Sequence, residues 1–356
     1  MINQNNSTHY IILPFNFLRH NKNHILLVNL VGEYLSLSES DFEKLITYSI
    51  GETSALYPYL KGKHIIAETI SDPAIELLSV KYRTKKEFLS FFTSLHMIEL
   101  TIRCNQKCIY CHASSKDLDK TKYDMSIDTS EKVVEVIFMS PSNSIKIEFQ
   151  GGEPLLNYET IKYIIEYANK LALLKKKEIE FVVCTNLTLV TNEMLEYFAD
   201  KNICISTSLD GPEHVHNFNR RYRNGAATYE DVIRNLEKAK KFIDPSRISA
   251  LMTPTEYSLN YVEEIVDEYI RNGFNSIFIR PLNPFGYALQ KISAIGYDPN
   301  KFVTFYKRIL EYIIKINLEG YFLEESFTSL LLTRILTHFP PVLSISNFLP
   351  EQVFLV

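Results

Sequence analysis

Three closely spaced cysteines, Cys104, Cys108 and Cys111, lie in the run TIRCNQKCIYC. Their C-x3-C-x2-C spacing follows a strand-like stretch, Leu95 to Thr101, and no fourth cysteine completes the group. Thiolates are soft ligands that suit iron–sulfur clusters or zinc. In a [4Fe–4S] cube, three thiolates would leave one iron open. An open iron is a reaction site, whereas a fully ligated cube suits electron transfer. A structural zinc would take four ligands, and this loop offers no clear fourth. The remaining cysteines, Cys184 and Cys204, stand alone in apolar runs and read as buried small hydrophobes.

A second group is the turn Phe149-Gln150-Gly151-Gly152-Glu153-Pro154. Two glycines allow a tight turn and close approach to a ligand. Glu153 is expected to point into the rim, able to pair with an ammonium, and Pro154 fixes the exit. Alone such a turn reads as a surface turn; after the cysteine loop, on the next strand end, it reads as part of a site. Further on, strand alternation puts Cys204, Ser206 and Ser208 on one face. The two hydroxyls suit a polar ligand or satisfy nearby carbonyls. Asp210-Gly211-Pro212 reads as a turn. His214, His216, Arg220 and Arg221 follow without a clear zinc ligand set, and both histidines are expected in solvent or hydrogen-bonded. Arg280, before Pro281, could hold a carboxylate bidentately. His112 is placed to touch a cofactor, not to ligate a cluster.

From residue 95 onward, strand and helix patterns alternate. The strand candidates are 95–101, 144–149, 179–184, 203–208, 248–252 and 276–280. The helix candidates are 127–139, 158–174, 191–200, 228–242, 259–272 and 300–318. Ser126 is expected to cap the first helix, with Val133, Val136 and Ile137 buried; Asn157 is expected to cap the second. Six strand–helix units without a hairpin imply a parallel sheet with right-handed crossovers. The strands read as apolar on both faces or polar only near their C-terminal ends. That fits an open, barrel-like α/β sheet whose chemistry sits at the C-terminal rim.

Residues 1–70 read as a small separate α+β unit. His24–Asn29 and 33–37 are strands around Val31-Gly32, and Ser38 with Asp41 opens a helix carrying Phe42, Leu45 and Ile46 on one face. Such a module could present a strand edge to a peptide. Residues 71–94 form a helical, basic connector whose Lys81, Arg83, Lys85 and Lys86 read as a solvated face.

The chain has 356 residues, 46% apolar and 22% charged, with a net charge of −4. This suits a globule with a large core and does not point to nucleic acid. The N-terminal run lacks the pattern of a signal peptide, and no apolar run reaches a membrane span, so a cytoplasmic location is expected.

With CNQKCIYC at 104–111 and GGEP at 151–154, the chain resembles the radical S-adenosylmethionine superfamily. The resemblance implies a partial (β/α)6 TIM-type barrel over 95–320, with Cys104, Cys108 and Cys111 holding a [4Fe–4S] cluster. It places the amino and carboxylate groups of S-adenosylmethionine on the open iron. Tyr110 matches the aromatic before the third cysteine, and Gly151, Gly152 and Glu153 match the turn receiving the amino group. Gln150, Ser208 and Arg220 resemble cofactor-holding positions of sulfatase-maturing relatives, and Arg280 joins them as a cofactor-binding candidate. The activity implied is reductive cleavage to a 5′-deoxyadenosyl radical, which abstracts hydrogen from a C–H bond of a peptide.

Longer matches narrow this resemblance. ILPFNFLR at 12–19, LLVNLVGEYLSL at 26–37, KYDMS at 122–126, IEFQGGEPLLN at 147–157, TNLTLVT at 185–191, STSLDGPEHVHNFNR at 206–220 and SIFIRPLNPFG at 276–286 look like the radical maturase of the His-Xaa-Ser peptide-modification system. This implies a precursor peptide with His-Xaa-Ser repeats, a second radical partner enzyme and an electron donor. Relatives carry a cysteine-rich C-terminal domain, but no cysteine follows Cys204 here. Residues 321–356 therefore read as a residual, truncated segment. The rival reading is a cluster- or peptide-binding protein that does not complete the modification.

Overall fold

The computed structural model describes residues 10–21 and 23–337; the apolar tail from Pro340 lies outside them. The described chain forms two compact units, one running up to Ser90 and taking in the stretch from Leu332, the other running from Phe91 to Leu331.

In the first unit, β1 (Ile11–Ile12) pairs antiparallel with β5 (Ile66–Ala67). The strands β2 (Phe15–Asn21), β3 (His24–Asn29) and β4 (Tyr34–Ser38) form an antiparallel sheet with β3 in the centre. β3 alternates as expected, and Ile25 and Leu27 are fully buried. β2 escapes sequence reading because FNFLRHN lacks clean alternation. Ser38 caps α1 (Glu39–Ile46), accepting from Asp41 N at 3.1 Å. Phe42 and Leu45 are buried, but Ile46, the last residue of the helix, is exposed although its spacing places it on their side. Helices α2 (Leu56–Gly62) and α3 (Pro73–Lys86) complete the unit. Of the basic run on α3, Lys81 is not simply solvated: it donates to Glu33 at 2.8 Å.

The second unit is a seven-stranded parallel sheet in sequential order: β6 (Leu95–Thr101), β7 (Ser144–Gly151), β8 (Glu178–Cys184), β9 (Cys204–Ser208), β10 (Ile248–Met252), β11 (Ser276–Ile279) and β12 (Glu324–Glu325). The α/β fold is that of a partial TIM-type barrel. Six strands match the expected runs closely; β12 is too short for any periodicity to reveal. Between strands lie α4 (Ile127–Ile137), α5 (Tyr158–Lys175), α6 (Asn192–Asp200), α7 (Glu213–Asn219), α8 (Tyr229–Phe242), α9 (Val262–Arg271) and α10 (Pro299–Leu318).

Gln150, Ser208 and Arg280 fit the expectation that polar residues gather near the C-terminal strand ends, but Lys146 and Glu148, further back on β7, depart from it. Ile98, Ile147, Phe149, Val183, Ile205, Met252 and Ile279 face the helices and form the main core. The alternate positions Lys146, Glu148, Gln150, Cys184, Ser206, Ser208 and Arg280 are polar and face inward. Each fully buried Ile or Phe contributes about 1.5–3 kcal/mol, so the outer face carries the stability and leaves the inner face free for chemistry.

Ser126 caps α4 as expected, accepting from Thr129 N at 3.2 Å. On that helix Val133 and Ile137 are buried as expected and Val134 joins them, whereas Val136 is 54% exposed. Asn157 does not cap α5. Its amide instead donates to Leu100 O and Met125 O, both at 3.1 Å, and ties the helix start to the end of β6.

Candidate functional site

The cysteine loop leaves the C-terminal end of β6 and is fastened by backbone bonds on several sides. Cys104 N donates to Lys116 O at 3.0 Å, Lys107 N to Arg221 O at 2.8 Å, and Ile109 N to Asn219 O at 2.9 Å. Arg223 clamps the loop, its guanidinium donating to Cys104 O and Lys116 O, both at 2.6 Å, and to Asp117 Oδ1 at 2.7 Å. Arg103 forks onto Asp124, with Nε to Oδ1 at 2.7 Å. None of these anchors was singled out from sequence, because their partners are distant in the chain.

Cys104 Sγ accepts from Gln106 N at 3.3 Å and from Asn186 Nδ2 at 3.8 Å. Donors aimed at sulfur favour the thiolate. Burial pushes both thiols up, Cys108 to about 11, where the Arg220 guanidinium opposes the rise. A metal reverses that balance, because the ligand form is the thiolate. Among the described residues no three His, Cys, Asp or Glu side chains are grouped to hold one metal ion. A cube takes each thiolate at its own corner, so the arrangement suits a cluster better than a single zinc.

The glycines of the turn at the end of β7 are required, but not by a ligand. A Cβ on Gly151, whose φ is +144°, would stand 2.1 Å from Thr101 O; one on Gly152 would stand 2.2 Å from Arg103 O. Only bare backbone can pass the start of the cysteine loop this closely. Gly152 N and Glu153 N donate to Thr101 O and Arg103 O, both at 2.7 Å, so the two rim segments are joined.

Glu153 does not point into the rim. Its side chain is fully buried, and its carboxylate accepts from Thr185 Oγ1 at 2.7 Å, Asn186 N at 2.8 Å and Leu155 N at 3.1 Å. Burial raises its pKa against these bonds. It thus fixes the end of β8, where Asn186 Nδ2 reaches Asn105 Oδ1 at 2.9 Å.

Asp210 is more than part of a turn. It is fully buried and accepts from Tyr110 OH at 2.7 Å, while Arg220 Nη1 donates to the same hydroxyl at 2.8 Å. Burial raises the Asp210 carboxyl, opposed by Arg220. The residues after it form α7 and carry Arg220 to this network. His216 is fully buried on that helix and accepts from Asp210 N at 3.4 Å, whereas His214 is exposed beside Glu264.

These segments enclose a cavity at the C-terminal rim. It brings together Cys104, Cys108, Tyr110, Cys111, Gln150, Gly151, Gly152, Ser208, Arg220 and Arg280; Glu153 alone of the expected site residues lies behind it. His112 also borders it, and burial lowers its pKa to about 4, helped by Arg280. Cys184, expected as a plain core residue, lines the cavity too. Buried polar atoms without partners cluster around it: Gln106 Nε2, Glu148 Oε1, Thr207 Oγ1, Arg220 Nε, Thr253 Oγ1 and Arg280 Nε. Buried polar groups are normally paired. Three thiols beside such orphaned donors and acceptors fit a cluster with a polar, zwitterionic cofactor against it.

Residues 98–269 match the Radical SAM superfamily model. An uncharacterized protein of Methanocaldococcus jannaschii is 32% identical over 53% of this chain and 62% of its own length. A cysteine-type anaerobic sulfatase-maturating enzyme of Clostridium perfringens is 26% identical over 58% of each chain. The chain spans less than two thirds of the length of these relatives. Two solved structures share the fold. Native anSMEcpe with bound AdoMet has a TM-score of 0.60 and 23% identity, over 70% of this chain and 68% of that one. Streptococcus suis SuiB bound to precursor peptide SuiA has a TM-score of 0.51 and 17% identity, over 97% and 76%. The family uses a [4Fe–4S] cluster and S-adenosylmethionine. The cysteine loop and the glycine turn both lie within the matched span, over which the chain is similar to the radical SAM superfamily.

Proposed function

We propose that the chain is a radical S-adenosylmethionine enzyme that modifies a peptide or protein substrate. The reading is carried by the cysteine loop at the C-terminal rim of the parallel sheet, beside a cavity rich in buried polar atoms that lack partners. Cys104, Cys108 and Cys111 hold the cluster. Gln150, Gly151, Gly152, Ser208, Tyr110, Arg220 and Arg280 border the seat of S-adenosylmethionine. When bound and reduced, the two cofactors supply a 5′-deoxyadenosyl radical that takes hydrogen from a substrate C–H bond.

The chain's own residues position and enclose. Glu153 acts through the turn, holding Thr185 and Asn186 against the loop. The Tyr110–Asp210–Arg220 network holds Arg220 in place at the cavity wall and leaves the buried Asp210 paired. Arg280, whose pKa burial lowers, offers Nε for a carboxylate.

Support for a peptide or protein substrate comes from sulfatase-maturating relatives and from the SuiB complex with its precursor peptide. Within that class we assign a precursor with His-Xaa-Ser repeats, on the motif resemblance alone, together with a second radical partner enzyme, an electron donor and a cytoplasmic setting. Among the described residues no helix is long and apolar enough to cross a membrane. The small N-terminal unit is assigned peptide recognition: its outer strands carry the exposed Leu18 and Tyr34, and sheet edges bind extended peptides.

The test is 5′-deoxyadenosine release after anaerobic reconstitution and reduction. Cys108→Ala should lose it by a factor of about 10³ or more, as expected when a whole cofactor site is lost. Release at the wild-type rate from this variant would refute the assignment.

A further inference from the structure

The inner face of the sheet carries an acid that the cofactor seat does not use. Glu148 stands one pleat below Gln150 on β7, and its side chain is fully buried. One carboxylate oxygen accepts from Gln150 Nε2 at 3.0 Å, while Oε1 has no partner, and Glu148 is among the residues that line the cavity. Gln150 Nε2 also reaches Met97 Sδ at 3.2 Å, so both amide hydrogens are committed and the amide oxygen is left as an acceptor. Lys146, a cation whose charge acts on Glu148, is engaged by Glu180 at 3.0 Å. Arg280 and the Cys184 thiol share the cavity but make no hydrogen bond or ion pair with Glu148 among the described contacts. A buried acid serving structure alone would have both oxygens satisfied. Here two neighbouring residues of one inward face each keep an acceptor without a partner, and the natural complement is a group with several N–H donors and positive charge.

We propose that Glu148, with the Gln150 amide oxygen, is the specificity-determining seat for a cationic, hydrogen-donating side chain of the substrate: an ammonium, guanidinium or imidazolium. The inference rests on the reading of the chain as a peptide-modifying enzyme. Burial, eased by the Gln150 bond, brings the carboxyl to about 7, so an arriving cation draws it into the ionised form. The charged groups acting on it are Lys146 and Glu180.

The probes are acetylated pentapeptide amides, Gly-Gly-Xaa-Gly-Gly, with lysine or the isosteric norleucine at the centre. Peptide-dependent 5′-deoxyadenosine formation at pH 8 gives a kcat/KM for each, and the ratio of the two is read within each protein variant. A general loss of folding or of cofactor cancels in that ratio. The wild type should prefer lysine by about tenfold, as one buried charge-assisted contact would provide. Glu148→Gln should bring the ratio to within about twofold of unity, and Glu148→Asp should restore part of it. The proposal is overturned if the wild type shows no preference, or if Glu148→Gln keeps it. It is equally overturned if the variant raises the KM for S-adenosylmethionine and leaves the ratio unchanged. If the wild type releases no 5′-deoxyadenosine with or without peptide, the enzymatic reading itself fails, and this inference with it.

Discussion

Two acids, one in each unit, show how differently the chain treats buried charge. In the N-terminal unit Glu33 accepts from Lys81 and His64, each at 2.8 Å, and from Asn29 at 2.9 Å. Burial alone would raise its pKa, but these partners bring it down to about 2. In the barrel, Glu148 has one neutral partner and a free oxygen, and burial brings it up to about 7. The first acid is a structural tie, its partners present in the fold. The second keeps one carboxylate oxygen without a partner among the described residues. Satisfaction of polar atoms, rather than burial, separates scaffold from site.

The sharpest way to disturb this contrast is at the frame of the cavity. Gly152→Ala sets a methyl against Arg103 O, so the turn and the cysteine loop must part. A loss of roughly 3 kcal/mol or more is expected, with iron uptake impaired. Scanning calorimetry and iron quantification after reconstitution check both; an unchanged midpoint with full iron loading would remove the steric argument.

Replacing the two acids should move stability in opposite directions. The folded pKa of Glu148 is above its unfolded value of 4.5, so ionising it in the fold is costly. That penalty grows between pH 4.5 and 7 and is complete above pH 7. Glu148→Gln should therefore stabilise on the order of 3 kcal/mol at pH 8, and far less at pH 5. Glu33 is the mirror case: its folded pKa is depressed, so its contribution is present above 4.5 and fades as pH falls toward 2. Glu33→Gln should cost about 2 kcal/mol at pH 7, allowing for the partial exposure of the pair, and little at pH 2. Melting curves of both variants across pH decide the matter, and shifts of the same sign would end the comparison.

The smallest expected effect refines it. Tyr110→Phe removes the hydroxyl between Asp210 and Arg220, the paired part of the barrel's polar interior. A destabilisation of about 1–2 kcal/mol follows from breaking a buried bond to a charged group. If this variant were as stable as the parent, the pairing would not be holding the network.

Much of this molecule is legible in the sequence. Six strands and their helices follow from apolar periodicity, because each strand must bury one face under a helix. The three cysteines and the two glycines announce themselves by type and spacing. Other features do not. Asn157 has a cap residue's chemistry yet bonds two distant carbonyls. Asp210 looks like turn punctuation, yet meets Tyr110 across a hundred residues. Arg223 carries no motif at all and still clamps the cysteine loop. Such contacts depend on which segments the crossovers bring side by side, and local pattern does not encode that.

By itself the sequence determined the candidate ligand residues and the strand–helix alternation, since both depend on residue type and short-range spacing. Only the tertiary structure decided that Glu153 faces away from the cavity and that Glu148 faces into it. The reason is pairing: whether a buried polar atom is a tie or a site depends on the partners that distant strands supply.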